Sequence, residues 1–207
     1  MHYFIMKAQS HDKSWYTFDL ADIPTLVAPN QFALLGKPGS PILDLKSIKR
    51  GDRKTGLFEG DILLMDGTKW LVCYERGFYA ISEDYVTRYL YQLKDYKVIG
   101  DYFKDGFSTP INVRTKHLFK YKGNIFRLED IVGGSANEYI ILRSCSHVVK
   151  IEDIQQECCM TYDGTRIFFG DVFPEGTVEL CGGRVCFDFG GQFIELVNGG
   201  VIDGCYS

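Results

Sequence analysis

The sequence predicts a mainly β protein with a minor α component, built of two or three small barrel-like β-modules and one short helix. Three observations carry that prediction. The 207 residues include 15 Phe and 13 Tyr, with 22 Gly and only 6 Pro, a mixture that suits many short strands closed by tight turns. A block from the middle of the chain recurs near its end, as duplicated β-modules require. Helical spacing of apolar residues stands out in a single stretch.

Residues 1–50 are expected to form an N-terminal irregular or β segment. Pro24, Pro29, Pro38 and Pro41 interrupt it, and the apolar runs 3–6 and 32–35 allow one or two strands. Residues 46–54 read as a polar linker.

Residues 51–106 are read as the first complete module. Phe58-Glu59-Gly60-Asp61-Ile62 and then Asp66-Gly67-Thr68 open it, and Trp70-Leu71-Val72-Cys73-Tyr74 and Gly77-Phe78-Tyr79-Ala80-Ile81 continue it. A helix is predicted over 83–96, where Tyr85/Val86, Tyr89/Leu90 and Leu93 recur at helical spacing behind a Ser82 cap.

Residues 107–157 form a middle β-module in this reading, with strands at 113–122, 124–128, 138–143 and 147–151. Residues 158–207 form an acidic second module resembling the first. Phe168-Phe169-Gly170-Asp171-Val172 and Glu175-Gly176-Thr177 match its opening, and 185–189 and 191–196 are aligned with 70–74 and 77–81. In both copies the glycine supplies a turn, and the adjoining Asp61 or Asp171 is assigned to local backbone hydrogen bonds, not to catalysis.

The stretches Thr55-Gly56-Leu57-Phe58-Glu59-Gly60-Asp61-Ile62 and Lys97-Val98-Ile99-Gly100-Asp101-Tyr102-Phe103 resemble the opening and closing motifs of the YopX-like family of phage and prophage proteins. The resemblance covers about residues 55–106, with a weaker echo at 168–197. It implies a phage or mobile-element origin and a small β-barrel-like fold, so the modules are expected to be SH3-like or barrel-like. It implies no catalytic residues.

The chemistry-bearing motifs point away from an enzyme. Walker and Rossmann glycine loops are absent, and the Gly-Gly pairs at 133–134, 182–183, 190–191 and 199–200 sit between strand-like runs, where hairpin turns belong. His2, His11, His117 and His147 are dispersed, and Cys158-Cys159, Cys181 and Cys186 have loose spacing for zinc. Cys145 and His147 could share a strand face as nucleophile and base, but strand alternation alone produces such pairs. No catalytic residue, metal or cofactor is therefore assigned. Seven cysteines without a scaffold spacing suit reduced thiols, and no stretch is long and apolar enough for a membrane span, so the host-cell cytoplasm is the expected compartment.

Charge supplies the candidate surfaces. The net charge of −4 is divided unevenly: residues 1–150 carry 21 Lys and Arg against 17 Asp and Glu, residues 151–207 carry 2 against 10. Asp163, Asp171, Glu175, Glu179, Asp188 and Glu195 would present carboxylates to a basic partner. Arg114, Lys116, Lys120 and Lys122 alternate along an extended 113–122, and with Lys49, Arg50, Arg53 and Lys54 they could contact phosphates, Phe119 or Tyr121 stacking where exposed. The expectation is a non-enzymatic phage or prophage accessory protein that binds a host protein, such as a defence nuclease or another nucleic-acid enzyme, in the manner of an anti-CRISPR inhibitor. The alternative is a nucleic-acid-binding β-protein using the basic strand at 114–122. Oligomeric state is left open.

Overall fold

A chain in which short aromatic and β-branched runs alternate with turn residues can satisfy its backbone only by pairing strands. The structure, a computed structural model, describes residues 4–74, 77–107, 118–181, 184–196 and 200–201. It is all-β, with several small antiparallel sheets, one of them a half-barrel, and among the described residues no α-helix reaches seven residues. Two compact units result, residues 1–50 with 115–157 and residues 51–114 with 158–207.

The first unit repeats one order of elements. Its first half runs through the hairpin Phe4–Gln9 and Trp15–Phe18, a 3-10 turn Leu20–Asp22, the strands Pro24–Ala28, Gln31–Leu34 and Leu43–Asp44, a second 3-10 turn Leu45–Ser47 and the strand Lys49–Asp52. Its second half repeats that order: Leu118–Tyr121, Asn124–Arg127, a turn Leu128–Asp130, then Ile131–Ser135, Tyr139–Leu142 and Cys145–Lys150, a turn Ile151–Asp153, and Gln155–Tyr162. In each half the middle three strands form a meander, and the last strand returns to pair with the first.

The repeated 3-10 turns explain themselves residue by residue. Asp19-Leu20-Ala21-Asp22-Ile23 and Arg127-Leu128-Glu129-Asp130-Ile131 each turn the closing carboxylate back onto the opening amide: Asp19 N–H donates to Asp22 at 2.9 Å and Arg127 N–H to Asp130 at 2.8 Å. The flanking Leu20, Ile23, Leu128 and Ile131 are buried in one shared core, beside Phe18 and Phe32, whose rings lie 5.2 Å apart. Burying each such ring contributes about 2–3 kcal/mol.

The second unit contains a five-stranded sheet in the order Thr87–Tyr89, Phe78–Ser82, Thr68–Tyr74, Asp61–Met65, Lys97–Asp101, with a 3-10 turn Leu90–Gln92 before the strand that returns to Asp61–Met65. One face is apolar and closed, with Leu63, Val72, Phe78 and Ala80 buried; the other carries Ile62, Leu71 and Cys73 under half-buried Tyr79, Ile81, Tyr102 and Phe107. A four-stranded sheet follows: Val172–Phe173, Gly176–Cys181, Arg184–Phe189, Gln192–Glu195.

The aromatic-Gly-Asp block is the same turn twice. Phe58 N–H donates to the Asp61 carboxylate at 2.8 Å, and Phe168 N–H to that of Asp171 at 3.0 Å. Gly60 and Gly170 take φ of 85° and 88°, where a side chain is disfavoured. Gly60 N–H donates to Val72 O, and Gly170 N–H to Val178 O. Val72 therefore corresponds to Val178, which corrects the alignment of 70–74 with 185–189: the counterpart is the strand Gly176–Cys181, and the Gly190-Gly191 turn joins the third and fourth strands of the copy.

Three further expectations are corrected. The predicted helix 83–96 is a turn, the strand Thr87–Tyr89 and the 3-10 turn Leu90–Gln92. Tyr85 has φ of 62°, which no helix accepts, and Thr87-Arg88-Tyr89 pair with Ile81-Ala80-Tyr79, so strand pairing overrides the spacing. Among the described residues the one α-helical turn is Tyr102–Asp105. The irregular N-terminal segment is instead strand-rich, and the polar linker 46–54 contains Lys49–Asp52, a buried strand.

Candidate functional site

The four-stranded sheet is amphipathic by alternation. Val178, Val185, Phe187 and Leu196 point to its covered side and are buried. The register Val172↔Thr177↔Asp188↔Phe193 and Glu179↔Cys186↔Glu195 places these side chains on the opposite side, with Cys181 and Arg184 in the next row; this side is open at Val172 and Phe193, whereas Cys186 in its middle is buried. Glu179, Asp188 and Glu195 therefore share one face. Asp188 also holds the Gly190-Gly191 turn by accepting from Gly191 N–H at 2.7 Å.

This sheet leaves large apolar side chains in solvent. Val172 is 78% exposed, Phe189 61%, Phe193 60% and Ile194 53%. Val172, Phe193 and Ile194 lie on the two outer strands, and Phe189 ends the inner strand Arg184–Phe189. Exposed apolar side chains concentrated on one small sheet, with carboxylates among them, are the chemistry of an interface.

Arg184 anchors the other end of the face. It pairs with Glu195 at 2.8 Å, and its guanidinium lies 3.9 Å from the Tyr89 ring centre, which stacks on Tyr91 at 5.9 Å. Burial and then the Asp188 charge hold the Glu179 carboxyl above its ordinary value. Burial, with a hydrogen bond to Cys181, raises the Cys186 thiol, and burial raises that of Cys181, so both stay protonated and weakly nucleophilic at neutral pH. A carboxyl raised on folding contributes its stability below the ordinary carboxylate range and loses it as pH rises through the folded value. Glu179→Gln is accordingly expected to raise the melting temperature modestly at pH 7 and to leave it unchanged at pH 3; an equal change at both pH values would contradict the cause given.

The remaining predicted acidic residues lie off this face. Asp171 is occupied in its turn, and Asp163 sits in the tight turn before Thr165–Phe168 with φ of 49°. Glu175 is exposed and hydrogen-bonds Tyr162, raising that phenol, whose ring packs edge-on against Phe173 and Phe187.

The predicted basic set is not assembled. Lys49 and Arg50 are 2% and 3% exposed, with Lys49 Nζ 4.6 Å from the Trp15 ring and the Arg50 guanidinium 5.0 Å from that of Phe4, so neither can reach a phosphate. Arg53 and Lys54 are exposed. Lys120 is half-buried on Leu118–Tyr121, whereas Lys122 falls in the following turn with φ of 45°, its ammonium over Tyr121. Phe119 is buried and cannot stack on a base. Arg114 and Lys116 lie outside the described residues, as do His2, His117, Cys205 and the side chains of Cys145 and His147.

The half-barrel holds an open cleft of about 440 Å³ lined by Ile62, Ile99 and Phe107 with Lys69, Glu83 and Asp105. Among the described residues no group of three or more His, Cys, Asp or Glu side chains could hold a metal, and no helix is long and apolar enough to cross a membrane. Cys73, Cys158, Cys159 and Cys186 are buried thiols, and Cys181 is half-buried. Comparison with protein-family models, curated proteins and solved structures finds no match to this chain.

Sequence reasoning found the carboxylates and missed the apolar edge. The signal was present: in Phe187-Asp188-Phe189-Gly190-Gly191-Gln192-Phe193-Ile194 the aromatic residues fall on both strand parities once the turn is counted, leaving no wholly polar side.

Proposed function

We propose that this chain is a non-enzymatic phage or prophage accessory protein that binds and modulates a host protein through the open face and outer strand of the Val172–Glu195 sheet. The observation that carries the reading is the exposure of Val172 and Phe193 on the face that bears Glu179, Asp188 and Glu195, with Phe189 and Ile194 exposed on the other side of the same sheet edge. Apolar side chains on the outer strands give affinity, and the carboxylates between and beside them steer toward a basic surface. Such a surface is the nucleic-acid groove of a defence nuclease or a related enzyme, so occlusion of that groove, as by an anti-CRISPR protein, is the proposed mode of action in the host cytoplasm. The YopX-like resemblance at 55–106 supports the phage origin. The return of the last strand to the first after a 3-10 turn, seen in both halves of the first unit and in 61–101, supports reading these segments as SH3-like or barrel-like modules.

Affinity capture from a bacterial lysate, with and without nuclease and at two salt concentrations, tests the proposal. A host protein retained after nuclease is expected, with recovery falling about tenfold or more for the Glu179→Lys/Glu195→Lys double variant and unchanged for Lys120→Glu. Nucleic acid recovered and then lost at high salt, with loss in Lys120→Glu, would establish the alternative of direct nucleic-acid binding instead.

A further inference from the structure

We infer that the outer strand Gln192–Glu195 accepts an extended, basic segment of the partner as a fifth strand. This deepens the protein-binding reading above and rests on it.

The backbone parity sets the argument. Leu196 N–H donates to Val185 O, and the register continues Cys186↔Glu195, Phe187↔Ile194, Asp188↔Phe193, Phe189↔Gln192. In an antiparallel ladder, hydrogen-bonded pairs alternate with pairs that turn their amides away. With Val185↔Leu196 bonded, Phe187↔Ile194 is bonded too, and the N–H and C=O of Phe193 and Glu195 point outward from the sheet. No proline, lysine or bulge blunts this strand, and all four of its residues are exposed.

Side chains and charge define the occupant. Phe193 and Glu195 both lie on the open face, so residues two apart on an added strand would meet an aromatic ring and a carboxylate, while the residue between them would meet Ile194 on the other side. An apolar residue opposite Phe193, an apolar residue beside Ile194 and a Lys or Arg opposite Glu195 satisfy all three. A second copy of this chain is disfavoured, because pairing two such edges sets two faces bearing Glu179, Asp188 and Glu195 side by side. The partner therefore supplies an extended basic-apolar-apolar segment, pairing antiparallel and held largely by main-chain bonds.

The probe is a capped, threonine-flanked Lys-Val-Val heptapeptide, titrated by NMR, with a Glu-Val-Val peptide as control. Binding by the wild-type chain is expected, weaker about fivefold or more for the control. Phe193→Ala removes the ring alone, whereas Phe193→Pro also removes an outward N–H that the sheet itself does not use, and is expected to lower affinity a further tenfold or so at an unchanged melting temperature. Should the proline variant fail to fold, amide exchange in the wild-type chain reads the same bonds: the Phe193 and Glu195 amides slow on peptide addition. No peptide binding, equal affinity of the proline and alanine variants, unprotected amides, or a wild-type dimer dispersed by Phe193→Pro would each overturn the inference. Peptide binding at this edge without capture of any host protein would uphold it and sink the function proposed above.

Discussion

Gly176→Ala is expected to destabilise the protein by about 3 kcal/mol, measured by urea unfolding. Gly176 has φ of 134°, and a Cβ there would stand 2.5 Å from the carbonyl oxygen of Asp188 and 2.8 Å from its carbon. Both contacts are backbone, so the hairpin itself must shift, taking Asp188 and the Thr177 pairing with it. Gly67→Ala is the control: φ is 75° but nothing lies within 4 Å, and only the conformational cost, about 1 kcal/mol, is expected. Equal losses at the two glycines would show that the close approach to Asp188 contributes nothing. Because the altered hairpin carries the candidate face, Gly176→Ala should also weaken partner capture at temperatures where it remains folded.

Asp61→Ala is expected to cost about 2–3 kcal/mol, and Asp61→Asn appreciably less. The Asp61 carboxylate is buried and accepts from Phe58 N–H, while Asp61 N–H closes the turn onto Phe58 O and Tyr102 N–H bonds Gly60 O. Alanine strands a buried donor at the point where the first strand of the half-barrel begins and its last strand ends. Asparagine keeps an acceptor oxygen. The same change at Asp171, less buried, is expected to cost nearer 1 kcal/mol. If Asp171→Ala proved the more damaging, the two turns would not play equivalent parts in their sheets.

Local chemistry made much of this legible. A Gly-Asp pair two residues after Phe58 and after Phe168 specifies a turn whose carboxylate serves its own backbone, and the structure places Asp61 and Asp171 there. Composition pointed to a β-rich chain of short elements. The helix at 83–96 shows the limit of periodicity: Tyr85, Val86, Tyr89, Leu90 and Leu93 have helical spacing, yet Arg88 and its neighbours gain more by pairing with Phe78–Ser82. The repeated order of elements in the first unit was also written in the chain, as Leu-x-Asp-Ile at 20–23 and 128–131 and Ile-x-Asp-Ile at 151–154, but the motif is too short to stand out before the strands around it are known.

By itself, then, the sequence determined strand content, turn chemistry and the acidity of residues 151–207, because each depends on neighbouring residues or on a count. Tertiary structure alone decided which surfaces exist. Lys49 and Arg50 look like exposed cations and are buried under Trp15 and Phe4, while Phe193 and Ile194 look like core and stand in solvent. Alternation assigns a side chain to one of two faces of a strand. Whether a face is covered depends on partners far away in sequence, such as 115–157 folding back onto 1–50, and that free energy is not carried by any local run of residues.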